Sequence, residues 1–191
     1  MYKPINEHVK NYVNASKEDL QLFTSMLSEV KLAKRKYLLQ PGTYVKHEYF
    51  VIKGCLKAYY IDAKGSTHIV QFAIENWWIG DFDAFYNNIP SKLFIEAIED
   101  STLLAINYDD LQALFLKAPI YERYFRLLVN GAFISQRNRI LSSLVKDTKE
   151  RYLEFCETYP NIEDRVPDYH IANYLGVSPE SLSRTRRKLK C

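Results

Sequence analysis

Residues 166–189, VPDYHIANYLGVSPESLSRTRRKL, constrain this chain more than any other stretch. Their spacing predicts two short helices around one tight turn. The first is expected over Asp168–Leu175, with Pro167 where a missing N–H costs little. Ile171, Ala172 and Leu175 share a face, and Ala172 is small enough for a second helix to cross closely. Gly176 can take the left-handed conformation that closes a helix, and Val177 can plug the corner. Ser178 is a good N-cap and Pro179 follows it, so the second helix is expected over about 179–188.

At roughly 100° per residue, Leu182, Thr185 and Leu189 fall on one side of that second helix. Glu180, Ser183, Arg184 and Arg187 fall on the other. The first set packs; the second is free to touch something. Arg can grip guanine O6 and N7 with two bonds, and Glu can accept from cytosine N4. Residues near the start of a recognition helix reach base edges, which suits Glu180 and Arg184 at i and i+4. Ser178 and Ser181 flank them, and Arg186, Lys188 and Lys190 are placed to hold phosphates. An ordinary surface helix also offers a Glu–Arg pair worth a few tenths of a kcal/mol. The joint pattern of small residue, Gly turn, capped second helix, buried Leu and terminal Arg points instead to a DNA-reading helix-turn-helix.

The run GVSPESLSRTRRKL resembles the DNA-binding helix of the Crp/Fnr family of bacterial transcription regulators. There a Ser-x-Glu-[Ser/Thr]-x-x-Arg stretch carries the base-reading Glu and Arg. The matching positions are Glu180 and Arg184, with Ser181 between them. Pro179 departs from the pattern, since many relatives have Arg there. The resemblance implies a regulator acting as a homodimer on double-stranded DNA in the cytoplasm, with RNA polymerase as a further partner.

Charge agrees. Residues 165–191 hold six Lys/Arg against two Asp/Glu and carry +4, while the whole chain is +3, which leaves −1 for residues 1–164. Positive charge is therefore concentrated where phosphates would lie. With 191 residues, 47% of them hydrophobic, the chain can bury a core. No apolar run is long enough to span a membrane. The start, MYKPINEHVKNYV, lacks the apolar core of a signal peptide. Cys55, Cys156 and Cys191 make no disulfide framework, which suits a reducing compartment.

The chain reads as α+β in three parts: 1–118, 119–145 and 146–191. The first begins with a helix capped at Ser16-Lys17-Glu18-Asp19 and continues as β-like stretches at 48–52, 56–61, 67–74, 93–98 and 102–106. Asp62-Ala63-Lys64-Gly65 is a hairpin signal, and a short helix over 108–116 closes the part. An antiparallel sandwich or roll is expected. The second part is one long helix in which Ile120, Tyr124, Leu127, Gly131, Ile134, Asn138 and Leu141 step by four and three. That is the spacing of a coiled-coil seam, so a two-fold dimer is expected along it. The third part opens with a helix capped near Asp147 and ends in the helix-turn-helix, read as an all-α, winged-type module.

The β-rich part resembles the Crp/Fnr sensor, the cyclic-nucleotide-binding β-roll (a double-stranded β-helix). Gly42, Gly54 and Trp78-Ile79-Gly80-Asp81 sit where that fold has its turns and the start of its phosphate-binding cassette. In that family an Arg-Ser-Ala run holds the cyclic phosphate; here the aligned residues are Ser91, Lys92 and Leu93. Asp81 falls near the family's ribose-binding Glu. Phe72, Gly80, Asp81 and Lys92 are the candidate effector pocket, and cyclic-nucleotide binding is expected to be lost, because Lys92 lacks the two-pronged guanidinium.

Other chemistries leave little trace. Iron–sulfur sensing in this family needs an N-terminal Cys cluster, and residues 1–54 contain no Cys. His8, His47, His68 and His170 form no spaced ligand set, so no metal or cofactor is expected. Trp77, Trp78, Phe82, Phe85, Tyr86 and Phe94 read as core sooner than as an apolar ligand pocket. No catalytic triad spacing, P-loop or dinucleotide fingerprint is present, so an enzyme is not expected. The alternative is a small-ligand or cyclic-nucleotide sensor or adaptor with little DNA binding of its own.

Overall fold

The computed structural model describes residues 1–189, so the expected roles of Lys190 and Cys191 lie outside the described residues. The chain opens with α1 (Lys3–Tyr12), where Ile5 and Val9, one turn apart, are fully buried. α2 (Lys17–Ser25) starts from a capping box. Ser16 Oγ accepts from the Asp19 N–H at 3.0 Å, and Asp19 Oδ2 accepts from the Ser16 N–H at 2.9 Å.

Eight strands follow among the described residues: β1 (Ser28–Leu32), β2 (Tyr37–Leu39), β3 (His47–Lys53), β4 (Leu56–Ile61), β5 (Thr67–Ala73), β6 (Trp78–Ile79), β7 (Phe94–Ala97) and β8 (Ser101–Asn107). They make two four-stranded sheets, ordered β1-β8-β3-β6 and β2-β7-β4-β5. Pairing is antiparallel for β1/β8, β3/β8, β3/β6 and β2/β7. Strands far apart in sequence are thus neighbours, as a β-roll requires. The β3/β8 register breaks between Val51 and Lys53. Just beyond, Gly54 has φ of +109°, and a Cβ there would run into Ser101, so no other residue fits. α3 (Phe82–Asn87) lies between β6 and β7.

α4 (Tyr108–Lys117) is capped by Asn107, whose Oδ1 accepts from the Asp110 N–H at 2.8 Å. Then come α5 (Ile120–Val145), α6 (Thr148–Thr158), a 3₁₀ turn at Ile162–Asp164, α7 (Asp168–Leu175) and α8 (Pro179–Leu189). α6 has its own capping box between Asp147 and Glu150, as the sequence suggested. Beyond α5 the described chain is helical, and no strand pair there forms a wing. No described helix is long and apolar enough to cross a membrane.

The chain divides into two compact units. One joins Met1–Ala58 with Phe72–Gly131; the other joins Tyr59–Gln71 with the residues from Ala132 onward. In the first, α1, α2, α4 and the first turns of α5 cover the roll through Ile5, Phe23, Phe50, Leu104, Leu114 and Tyr121, all fully buried.

Tyr124 belongs to that core too, which corrects the expected seam. It is fully buried, its Oη accepts from Trp78 Nε1–H at 3.1 Å, and it lies 2.8 Å from His8 Nδ1. Ile120 and Leu127 also pack against this core. Heptad spacing shows that a stripe is covered; it does not say by what. The second unit's core is Phe155, Tyr159, Ile162, Val166, Ile171, Ala172 and Leu182.

Candidate nucleic-acid interface

The two helices of the motif are held as the sequence implied. α7 closes at Gly176 with φ 66° and ψ 37°. Pro167 is its N-cap and not part of its first turn. Ala172 is fully buried, and Leu182 of α8 packs into the same core with no exposure. Two carbonyls at the C-terminus of α7 are capped by cations: Arg139 Nη2 donates to Tyr174 O at 2.9 Å, and Arg151 Nη1 donates to Leu175 O at 2.8 Å. α8 is preceded by Ser178, whose Oγ accepts from the Ser181 N–H at 3.2 Å and so caps it.

Ser178, Glu180, Ser183, Arg184, Arg187 and Lys188 are exposed, and Ser181 is half-buried. Thr185 and Leu189 are half-buried on the inner side. Arg184, Arg187 and Lys188 make no ion pair among the described residues, so their charges face outward unneutralised. Glu180 is held below the usual carboxylate range, first by its own backbone N–H, then by the Ser178 hydroxyl, and least by the Arg184 charge. It is therefore ionised and can only accept, which is what a cytosine amino group requires.

Arg186 goes elsewhere, contrary to its expected phosphate role. It pairs with Asp168, lies 3.7 Å from Glu163, and sits 5.9 Å over the Tyr152 ring. Its charge fastens α8 to α6, α7 and the 3₁₀ turn.

The expected effector pocket separates. Phe72 is fully buried in β5, and Lys92 is exposed. Gly80 and Asp81 do come together, beside two residues that were not foreseen as a group. Asp81 caps α3: its Oδ1 accepts from the Ala84 N–H at 3.2 Å, and its Oδ2 accepts from the Ser91 hydroxyl at 2.7 Å. Glu48 of β3 lies across Gly80, so close that a Cβ on residue 80 would collide with its carboxyl. Only 9% of Glu48 is exposed, and its Oε1 has no hydrogen-bond partner. Burial, and then the Asp81 charge, push the Glu48 carboxyl up to about 8. An acid at an inward position of an alternating strand was a readable signal for it.

Along α5, Gly131, Ile134, Asn138 and Leu141 of the expected seam are exposed. Further apolar residues join them: Phe133 is 70% exposed, Ile140 61%, Leu144 74% and Val145 78%. Phe133, Ile140 and Leu144 make one stripe; Ile134, Leu141 and Val145 make a second beside it. Such a surface is larger than scattered apolar residues on a monomer. Among the described residues, no group of three or more His, Cys, Asp or Glu is placed to hold a metal. His8 packs beside Tyr124, and His68 Nε2 lies 2.9 Å from Asp62.

Residues 29–118 match the cyclic nucleotide-binding domain family. The chain is 27% identical over 167 residues to the fumarate and nitrate reduction regulatory protein of Yersinia pestis, covering 80% of this chain and 65% of that protein. It is 25% identical over 184 residues to the regulatory protein HlyX of Actinobacillus pleuropneumoniae, covering 88% of this chain and 75% of that protein. It therefore spans less than two thirds of the first of these relatives. Among solved structures, FixK2 from Bradyrhizobium japonicum shares the fold, with a TM-score of 0.74, 18% identity, and coverage of 86% of this chain and 84% of that one.

Proposed function

We propose a function from the premise that this chain belongs to the Crp/Fnr family of transcription regulators. It is a sequence-specific DNA-binding regulator that binds a partly palindromic operator as a homodimer and is not controlled by cyclic AMP. The named relatives are regulatory proteins.

One observation carries the reading: α8 presents Glu180, Ser183, Arg184, Arg187 and Lys188 together, exposed and without ion pairs among the described residues, on a helix anchored by Leu182. Glu180 and Arg184 take the base edges; Arg187 and Lys188 take phosphates, with Ser178, Ser181 and Ser183 at the margin. One such helix reads few bases, so two are needed, and the apolar face from Phe133 to Val145 is the surface that a second copy covers. The working parts are an effector-type roll over 1–118, a dimerisation helix over 119–145 and a DNA-binding part over 146–191. A DNA reader acts in the compartment that holds the DNA, the cytoplasm.

Independence from cyclic AMP follows from charge. A buried cyclic phosphate needs charge-assisted donors. At the corresponding corner stand Glu48 and Asp81, the Ser91 hydroxyl already donates to Asp81, and Lys92 is out in solvent. Asp81 carries the charge there, and Glu48, still protonated at neutral pH, adds none of its own; the corner therefore meets an anion with a carboxylate and no cation.

The test is selection of bound duplexes from random DNA by the full chain at fixed salt. Enrichment of an inverted repeat with half-site centres roughly 34 Å apart supports the reading. Retention of DNA without any enriched sequence would overturn it.

A further inference from the structure

The hairpin end of β4 and β5 belongs to the same compact unit as the DNA reader, and two side chains fasten it to α7. Asn173 of α7 accepts the Ile69 N–H on Oδ1 at 2.7 Å and donates Nδ2–H to Thr67 O at 2.5 Å. Its amide thus pairs with the backbone of β5 as a neighbouring strand would. Arg139 of α5 donates from Nη1 to Val70 O at 2.7 Å and from Nη2 to Ile69 O at 2.9 Å, and the same Nη2 reaches Tyr174 O at 2.9 Å. Its guanidinium also lies 3.9 Å over the Tyr174 ring.

We propose that Arg139 and Asn173 are positioning residues that set the direction in which the recognition helix points, by locking α7 to the β5 backbone. The proposal rests on the dimeric reading above. A planar guanidinium engaging three carbonyls and a ring fixes orientation as well as distance, because the fork accepts little rotation. The amide of Asn173 adds a second point of attachment from the adjacent residue on α7. The apolar core of the motif is Phe155, Ile171, Ala172, Leu175 and Leu182, and neither residue belongs to it. The hydrogen bonds of both go to β5 and to Tyr174 of α7, not to α8. What they determine is where α7 is held, and α8 moves with α7 because Ala172 and Leu182 are packed without exposure.

A dimer gains affinity from its second reader only if both meet their half-sites at once, and that gain is set by geometry. Arg139→Ala and Asn173→Ala, singly and together in the full chain, are measured by fluorescence anisotropy on three sets of duplex. These are the selected operator, the operator with one or two base pairs inserted or removed between half-sites, and a single half-site. The expected result is a loss of at least about tenfold on the operator, a flattened preference for spacing, and unchanged half-site affinity. Asn173→Asp is the milder variant: it keeps the acceptor for the Ile69 N–H but sets an oxygen against Thr67 O, and it should show the same flattening. If the variants keep the spacing preference, or lose half-site and operator affinity in parallel with a lowered thermal midpoint, the residues are structural and the proposal is overturned. If the unmodified protein has no spacing preference, the dimeric reading fails, and this proposal fails with it.

Discussion

Glu48→Gln should stabilise the protein, and by an amount that grows with pH. In the folded chain the Glu48 carboxyl is buried across Gly80, next to Asp81, and titrates at about 8 against an ordinary value of 4.5. Unfolding releases it to water and to the ordinary value. Between those two values the folded state binds the proton and the unfolded state does not, so stability falls as pH rises. The contribution is fully present below 4.5 and gone above 8. At about 1.36 kcal/mol per pH unit the whole window is worth about 5 kcal/mol, and the part lost by neutral pH about 3 kcal/mol. Glutamine has the same shape and stays neutral, so it keeps the packing and removes the titration. Urea midpoints read from the fluorescence of Trp77 and Trp78 at several pH values from about 5 to about 9 measure the difference. Other groups titrate in both proteins and cancel in that difference. The variant should match the unmodified chain near the acid end and exceed it by roughly 3 kcal/mol at neutral pH. A constant difference across the range, or a variant less stable at every pH, would refute the buried, unpaired acid.

Three further outcomes are expected. Arg184→Ala should cost about 1–3 kcal/mol on the selected operator and relax one base pair per half-site, while Lys188→Ala should weaken all duplexes alike and flatten the salt dependence in gel shifts. Equal losses on operator and random DNA from both would make Arg184 a phosphate contact. Phe133→Asp with Ile134→Asp should give monomers by light scattering, because each sits on one of the two exposed stripes of α5, whereas dimers surviving both changes would place the interface elsewhere. Calorimetry with cyclic AMP or cyclic GMP at sub-millimolar concentration should show no binding, and a micromolar dissociation constant lost on Lys92→Ala would make Lys92 a phosphate ligand after all.

What was legible in the sequence was local. The limits of α7 agree residue for residue, because Gly176 and the Ser178-Pro179 pair punctuate the chain without help from distant parts. β4 spans the residues expected, and β3, β5, β7 and β8 differ from expectation by a residue or so at their ends. α1 was missed: only Ile5 and Val9 mark its inner face, in a segment otherwise polar. β1 and β2 were missed because β1 is largely exposed and β2 is three residues long. α3 is hidden inside an aromatic run, and nothing local in the sequence distinguishes Asp81 as its cap from Asp81 as a pocket residue. The candidate site divides the same way. The reading face of α8 follows from one helix's periodicity, whereas the Asn173 and Arg139 attachments join residues up to 106 positions apart, which no local pattern encodes.

The three arginines of the recognition helix show why a charge run and a binding surface are different things. Arg184, Arg186 and Arg187 lie within four consecutive positions, and by count each adds equally to the basic end of the chain. The helix turns them different ways. Arg186 points inward, where Asp168 and Glu163 neutralise it and the Tyr152 ring lies beneath it. A partly buried cation held by two carboxylates has little left to offer a phosphate, and removing it leaves those carboxylates facing each other. Among the described residues Arg184 and Arg187 have no such partners, which leaves their charges available to a phosphate or a base edge. A substitution scan that ranked the three by loss of DNA binding alone would group them together. Unfolding separates them: Arg186 acts through the fold, and its neighbours act through the contact.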